Sequence, residues 1–178
     1  MKKIKPCFLV VCICFLVFGC ASIPEPKTES DILVVGIITR VYENYIGTSG
    51  LLNGTQKMGI EITIVNTGTN AEYKVQSQKN GLFYIESLPE GNYLLQQFYA
   101  IVHSGSSWAS DAVRTSLRFS VENGKVHNLG VINWNRNATD GRHTILRNQE
   151  HDDVITEFNS QYPRSGWLQR EITITGLR

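Results

Sequence analysis

From Ile32 onward the chain runs in short stretches of Val, Ile, Tyr and Thr separated by Gly and Asn, and within the stretches apolar and polar residues alternate. A period of two is the mark of a strand with one buried face, so the main body is expected to be sheet, not helix. The alternation is clearest at Ile60, Ile62 and Ile64 against Glu61 and Thr63, and at Leu117, Phe119 and Val121 against Arg118 and Ser120. Strands are expected near 32–43, 58–67, 71–79, 82–87, 92–103, 113–122 and 125–134, and seven of them imply an all-β fold, an antiparallel β-sandwich. Asn80-Gly81 and Asn123-Gly124 read as type I′ hairpin turns, because both residue types tolerate positive φ. Glu90-Gly91-Asn92 marks a further turn.

Two polar stretches, 44–56 and 103–111, read as long loops, the kind of segment that carries function when a sandwich has one. Beyond Asn135 the chain turns polar. Ile155, Phe158 and Tyr162 then fall at helical spacing, with Glu150, Asp152 and Asp153 in the first turn where a helix dipole favours acids. Pro163 ends that helix, and Leu168, Arg170, Ile172 and Ile174 with Glu171 and Thr173 between them predict a final strand.

The other end of the chain carries an address. Lys2, Lys3 and Lys5 precede an apolar run from Pro6 to Phe18 that is too short to span a bilayer comfortably, followed by Gly19-Cys20. That order predicts a secretory leader. The sequence Leu16-Val17-Phe18-Gly19-Cys20 resembles the lipobox of bacterial lipoproteins, which implies a diacylglyceryl group on the Cys20 thiol, removal of residues 1–19 and a lipid-anchored mature protein. In a competing reading an ordinary signal peptidase cuts after Ala21 and Cys20 leaves with the leader. Residues 20–31, with Pro24 and Pro26 and no periodicity, then form an extended tether.

Removing the leader takes three lysines with it, and the formal charge of +1 becomes slightly negative. Nothing in that balance attracts nucleic acid. Cys7, Cys12 and Cys14 lie in the leader, so a lipidated Cys20 would leave the folded part with no cysteine for a disulfide, metal or catalysis. The core must hold the domain together.

Gly59-Ile60-Glu61-Ile62-Thr63-Ile64-Val65-Asn66, Asn80-Gly81-Leu82-Phe83-Tyr84-Ile85 and Leu88-Pro89-Glu90-Gly91-Asn92-Tyr93 resemble the carboxypeptidase regulatory-like domains, and Asn123 to Gly130 resembles a strand near their end. Lys79-Asn80-Gly81 stands where that family often has Thr-Asp before its turn. The resemblance covers 32–134, implies a transthyretin-like/Ig-like sandwich, and leaves 135–178 as a C-terminal extension packed on it. Such domains accompany peptidases and surface proteins as non-catalytic modules, so a membrane-anchored cell-envelope protein with a binding or structural role is expected. Its partners would be membrane lipid through Cys20 and an envelope protein or glycan, with no cofactor. An enzyme with a motif-free loop site and an accessory subunit of an envelope assembly are the alternatives.

Catalytic and metal motifs are weak. No His is followed three places later by Glu, and His143, His151, Asp152 and Asp153 match no ligand spacing. Ser104, Ser106 and Ser107 near His103 and Asp111 lack the Gly-x-Ser-x-Gly elbow of a hydrolase. Of Trp108, Trp134 and Trp167, the expected ligand-binding residue is Trp108, because it sits in a Ser- and Gly-rich stretch, whereas Trp134 at a strand end reads as core.

Overall fold

The computed structural model describes the backbone of residues 24–43, 46–47, 50–51, 54–56, 59–104, 107–137, 139–148 and 150–178, and side chains for 24–41, 59–100, 110–137, 139–147 and 150–178. Its centre is a parallel pair. Strand β1 (Leu33–Glu43) runs alongside β10 (Val126–Asn137), Leu33 opposite Val126 and Glu43 opposite Asn137. The free side of β1 takes β7 (Leu82–Glu86) along its first half and β4 (Gly54–Gln56) near its end. The free side of β10 takes β12 (Ile172–Ile174), again parallel, and then β11 (His143–Asn148), antiparallel. A second sheet, wholly antiparallel, has the order β6 (Glu72–Gln76), β5 (Ile60–Asn66), β8 (Gly91–Ser104), β9 (Ser107–Val121). Two short strands, β2 (Ile46–Gly47) and β3 (Gly50–Leu51), pair with each other. The fold is an all-β sandwich, with parallel pairing where the sequence implied antiparallel neighbours throughout.

The run Ile32 to Ile38 explains why β1 is central. Ile32, Val34 and Ile38 point into the space between the sheets, where Ile60, Ile62, Ile64, Phe98, Phe119 and Trp134 meet them. Leu33, Val35 and Ile37 point the other way, onto a second apolar cluster. A strand covered on both faces reads as a continuous apolar run, and such strands accept parallel neighbours. Gly36 faces the inner core without a side chain, and a Cβ there would meet Phe83 Cζ at 2.7 Å. The missing side chain makes room for the Phe83 ring.

The second cluster is roofed by helix α1 (His151–Gln161) and a 3₁₀ turn, Gly166–Gln169. Val154 and Phe158 are buried, with Ile155 and Tyr162 partly so, which matches the expected helical face. Trp167 is buried beside them, its Nε1 donating to Glu86 Oε1 at 3.1 Å. The layers are therefore sheet, sheet and helix.

Several expectations change. Asn80-Gly81 and Asn123-Gly124 do make tight turns, with Gly81 at φ 90° and Gly124 at φ 76°, but neither asparagine has positive φ, so neither turn is type I′. Each carries the chain from one sheet to the other, from β6 to β7 and from β9 to β10. The expected loop at 103–111 is largely strand, since Ser104 pairs with Ser107 and His103 with Trp108. The expected loop at 44–56 contains β2, β3 and β4. The polar stretch after Asn135 contains β11, and the last expected strand is a 3₁₀ turn followed by the shorter β12, whose Ile172 and Ile174 face outward at 38% and 65% exposure.

The described part of the expected extended tether, residues 24–31, is bonded to the domain. From Pro24, which is buried, the chain is bonded to the C-terminal segment: Ser165 Oγ donates to the Pro24 carbonyl at 2.6 Å and the Gly166 N–H to Glu25 Oε2 at 2.9 Å. Arg170 donates to the carbonyls of Thr28, at 2.7 Å, and Glu29. Residues 24–31 are a strap on the domain.

Candidate functional site

The sandwich has two ends. The base holds Leu33, Val126 and Val121; the tip holds Glu43, Asn137 and the Ser104–Ser107 pair. Each end gathers polar side chains.

At the tip, the even positions of β1 face inward, so Arg40 follows Ile38 into the space between the sheets and is fully buried. A guanidinium there needs a counter-charge, because desolvating it alone costs several kcal/mol. Asp111 of β9 supplies one, bonding Arg40 Nη2 across the gap. The guanidinium also lies 4.7 Å from the Trp134 ring centroid. Trp134, buried as expected for core, donates from Nε1 to His143 Nδ1 at 2.9 Å, which leaves the neutral imidazole its proton on Nε2, 3.5 Å from Asp111 Oδ1. Arg136 approaches the same carboxylate at 3.6 Å. Asp111 is thus enclosed by two guanidiniums and an imidazole, an arrangement that clamps one sheet to the other. Its carboxylate accepts from Arg40, and it makes no general-base pair with a described serine.

At the base, a groove of about 530 Å³ opens between β9 and the C-terminal segment. The segment crosses from one sheet to the other: Thr175 N–H donates to the Asn128 carbonyl, and Arg178 exchanges backbone hydrogen bonds with Arg118 at 2.9 and 3.0 Å. Tyr93 and Phe119, stacked with centroids 5.5 Å apart, contribute to the lining with Ser120 and Thr175, and the Arg118 and Arg178 side chains are exposed at the rim. His127 lies in the wall and is buried. The Glu122 N–H donates to its Nε2 at 2.9 Å, so the neutral ring carries its proton on Nδ1, 2.9 Å from Thr175 Oγ1. Burial pushes the His127 pKa below the ordinary imidazole value, against the raising effect of Glu122. With both nitrogens engaged, the ring is a structural peg.

Cys20 lies outside the described residues. Trp108 has its backbone in β9, one pair from the end of the β8–β9 ladder, instead of in a loop, and its side chain lies outside the described residues. His143 is brought to Asp111, while His151 opens α1, where its carbonyl accepts from Asn128 Nδ2. Among the described residues no three His, Cys, Asp or Glu side chains gather as a metal site. Sequence reasoning missed the Arg40–Asp111 pair, although a lone arginine closing a run of inward-facing Val and Ile is a legible signal for a buried cation.

No protein-family model matches the chain, and no curated protein matches it.

Proposed function

We propose that the protein is a lipid-anchored component of a bacterial cell envelope, whose β-sandwich, of the carboxypeptidase regulatory-like kind, is a non-catalytic binding or structural module. The observation that carries this reading is the order of basic residues, short apolar run and Gly19-Cys20 ahead of a sandwich. The two polar clusters support a non-catalytic role. Asp111 is held by Arg40, and His127 is bonded at both nitrogens, so the best-placed acid and base both serve to join strands. The groove at the base, with Arg118 and Arg178 at its rim, favours a second reading, a site for a small polar ligand or an enzyme's substrate. Trp108 at the tip is the residue through which an envelope protein or glycan would be held.

The experiment is Cys20→Ser in the full chain, expressed in a bacterium and fractionated. The wild type should carry the lipid mass on its N-terminal cysteine and sediment with membranes, with the variant folded, unlipidated and released, because acyl chains bury about 0.8 kcal/mol per methylene. A variant that still partitions into detergent overturns the anchor.

A further inference from the structure

The strap at residues 24–31 decides which way an anchored domain would face. Its own backbone is fixed first. Asp31 accepts from the N–H groups of Lys27 at 2.6 Å and Thr28 at 2.9 Å and from Thr28 Oγ1 at 2.8 Å, and the Thr28 bonds are the main cause that holds its carboxyl below the usual range. The strap is then fixed at separate points. At the base, Thr28 and Glu29 are held on Arg170 and Ser30 on the Gly124 N–H at 3.2 Å. In the outer layer, Pro24 and Glu25 are held on Ser165 and Gly166, next to Trp167, whose Nε1 bonds Glu86, the residue opposite Leu33 at the base. Gly124 accepts this contact because it has no side chain, a Cβ there lying 2.9 Å from the Glu29 carbonyl oxygen. Among the described residues, the fixed one nearest Cys20 in the chain is Pro24.

From this we propose that the base of the sandwich meets the phospholipid headgroups and that the tip points away from the bilayer. The proposal rests on the lipid-anchor reading. Four peptide links separate Cys20 from Pro24, and fully extended they reach about 14 Å. The β10 strand alone rises about 40 Å from base to tip. A free tether of residues 20–31 would reach about as far as the sandwich is tall and let any face approach the membrane; the strap removes that freedom. The base is also where the chain exposes Ile172 and Ile174, next in sequence after Arg170 and Glu171, and apolar side chains on a solvent-facing edge are stabilised in the headgroup region.

The test uses the full chain, lipidated in its bacterial host, and reconstituted in vesicles of phosphatidylethanolamine with a minor share of phosphatidylglycerol and a headgroup-attached spin quencher. With Cys20 acylated, a single introduced cysteine takes a fluorescent label, either at the base, Gln169→Cys, or at the tip, Thr139→Cys, both exposed positions. Intact mass is measured first. Quenching should be severalfold stronger at 169 than at 139. A long Gly-Ser insert between Ala21 and Ser22, ahead of the strap, should abolish the difference while the protein stays membrane-bound. Lipid mass with equal quenching at the two positions, or stronger quenching at 139, overturns the orientation alone. Absence of lipid mass overturns the anchor, and the orientation falls with it.

Discussion

The two faces of the β1–β10 sheet are built differently. The inner face meets another sheet, and its core is made from strands of period two together with one buried ion pair. The outer face meets α1 and the 3₁₀ turn, and its core is smaller, centred on Val154, Phe158 and Trp167. The inner side joins parts of the chain that are themselves regular sheet, whereas the outer side is closed by the C-terminal segment, itself held by the strap. The difference teaches that the sheet sandwich is the frame and the outer layer a cover whose loss need not dissolve the frame.

The largest effect should come from cutting the clamp of the inner face. Arg40→Ala leaves Asp111 without its main counter-charge and opens space over Trp134, and should cost about 3 to 5 kcal/mol in urea unfolding. Replacing both partners, Arg40→Met with Asp111→Leu, should recover most of that loss, since apolar substitutes for a buried pair are often neutral or better. If the single variant loses less than the double, the clamp is not what joins the sheets.

On the outer face, Trp167→Ala should cost about 3 kcal/mol, at the low end for a buried aromatic because the 3₁₀ turn can settle into the space. Hydrogen exchange sharpens the comparison: amides of α1 should exchange faster in this variant while those of β5 keep their protection. Equal acceleration in both would mean that the layers unfold as one unit.

The smallest effect should appear on acidification. His127 has a folded-state pKa below its unfolded value because of burial, so between the two values the unfolded chain binds a proton that the native ring does not. Stability contributed by the neutral ring is therefore full above the unfolded value, about 6.5, and falls as pH drops toward the folded one. His127→Gln should flatten that part of a melting-temperature profile. An unchanged slope would remove His127 as its source.

The frame was readable from residues and the cover only in part. Alternation at Ile60, Ile62 and Ile64 located β5, and the spacing of Phe158 and Tyr162 located α1, because both elements have one apolar face and periodicity reports that directly. The run Ile32 to Ile38 announced a strand but not its second covered face, since an apolar run has no preferred side. Asn80-Gly81 announced a turn but not its destination: local φ preferences decide that the chain reverses, and long-range pairing decides which sheet it joins. β11 was hidden because His143-Thr144-Ile145-Leu146-Arg147-Asn148 alternates poorly and leaves Leu146 nearly half exposed. At the candidate site, composition could suggest Trp108 from its neighbours, but nothing local could join Arg40 to Asp111, which are brought together only by packing of the two sheets.

The parallel pairing of β1 with β10 sets the timetable of folding. Thr39 and Asn133, whose side chains bond across that pair, are 94 residues apart, and Pro24 and Ser165 are 141 apart. Non-local pairings form late, because the entropy of closing the loop is lost before any contact forms. Strand β1 therefore finds its parallel neighbour only after most of the chain is in place. The β5–β6 and β8–β9 pairs, each made of strands consecutive in the chain, close the shortest loops and are expected to form first. Docking of the strap needs residues 165–170, and is expected to be among the last steps, joining residues 24–31 to the C-terminal segment.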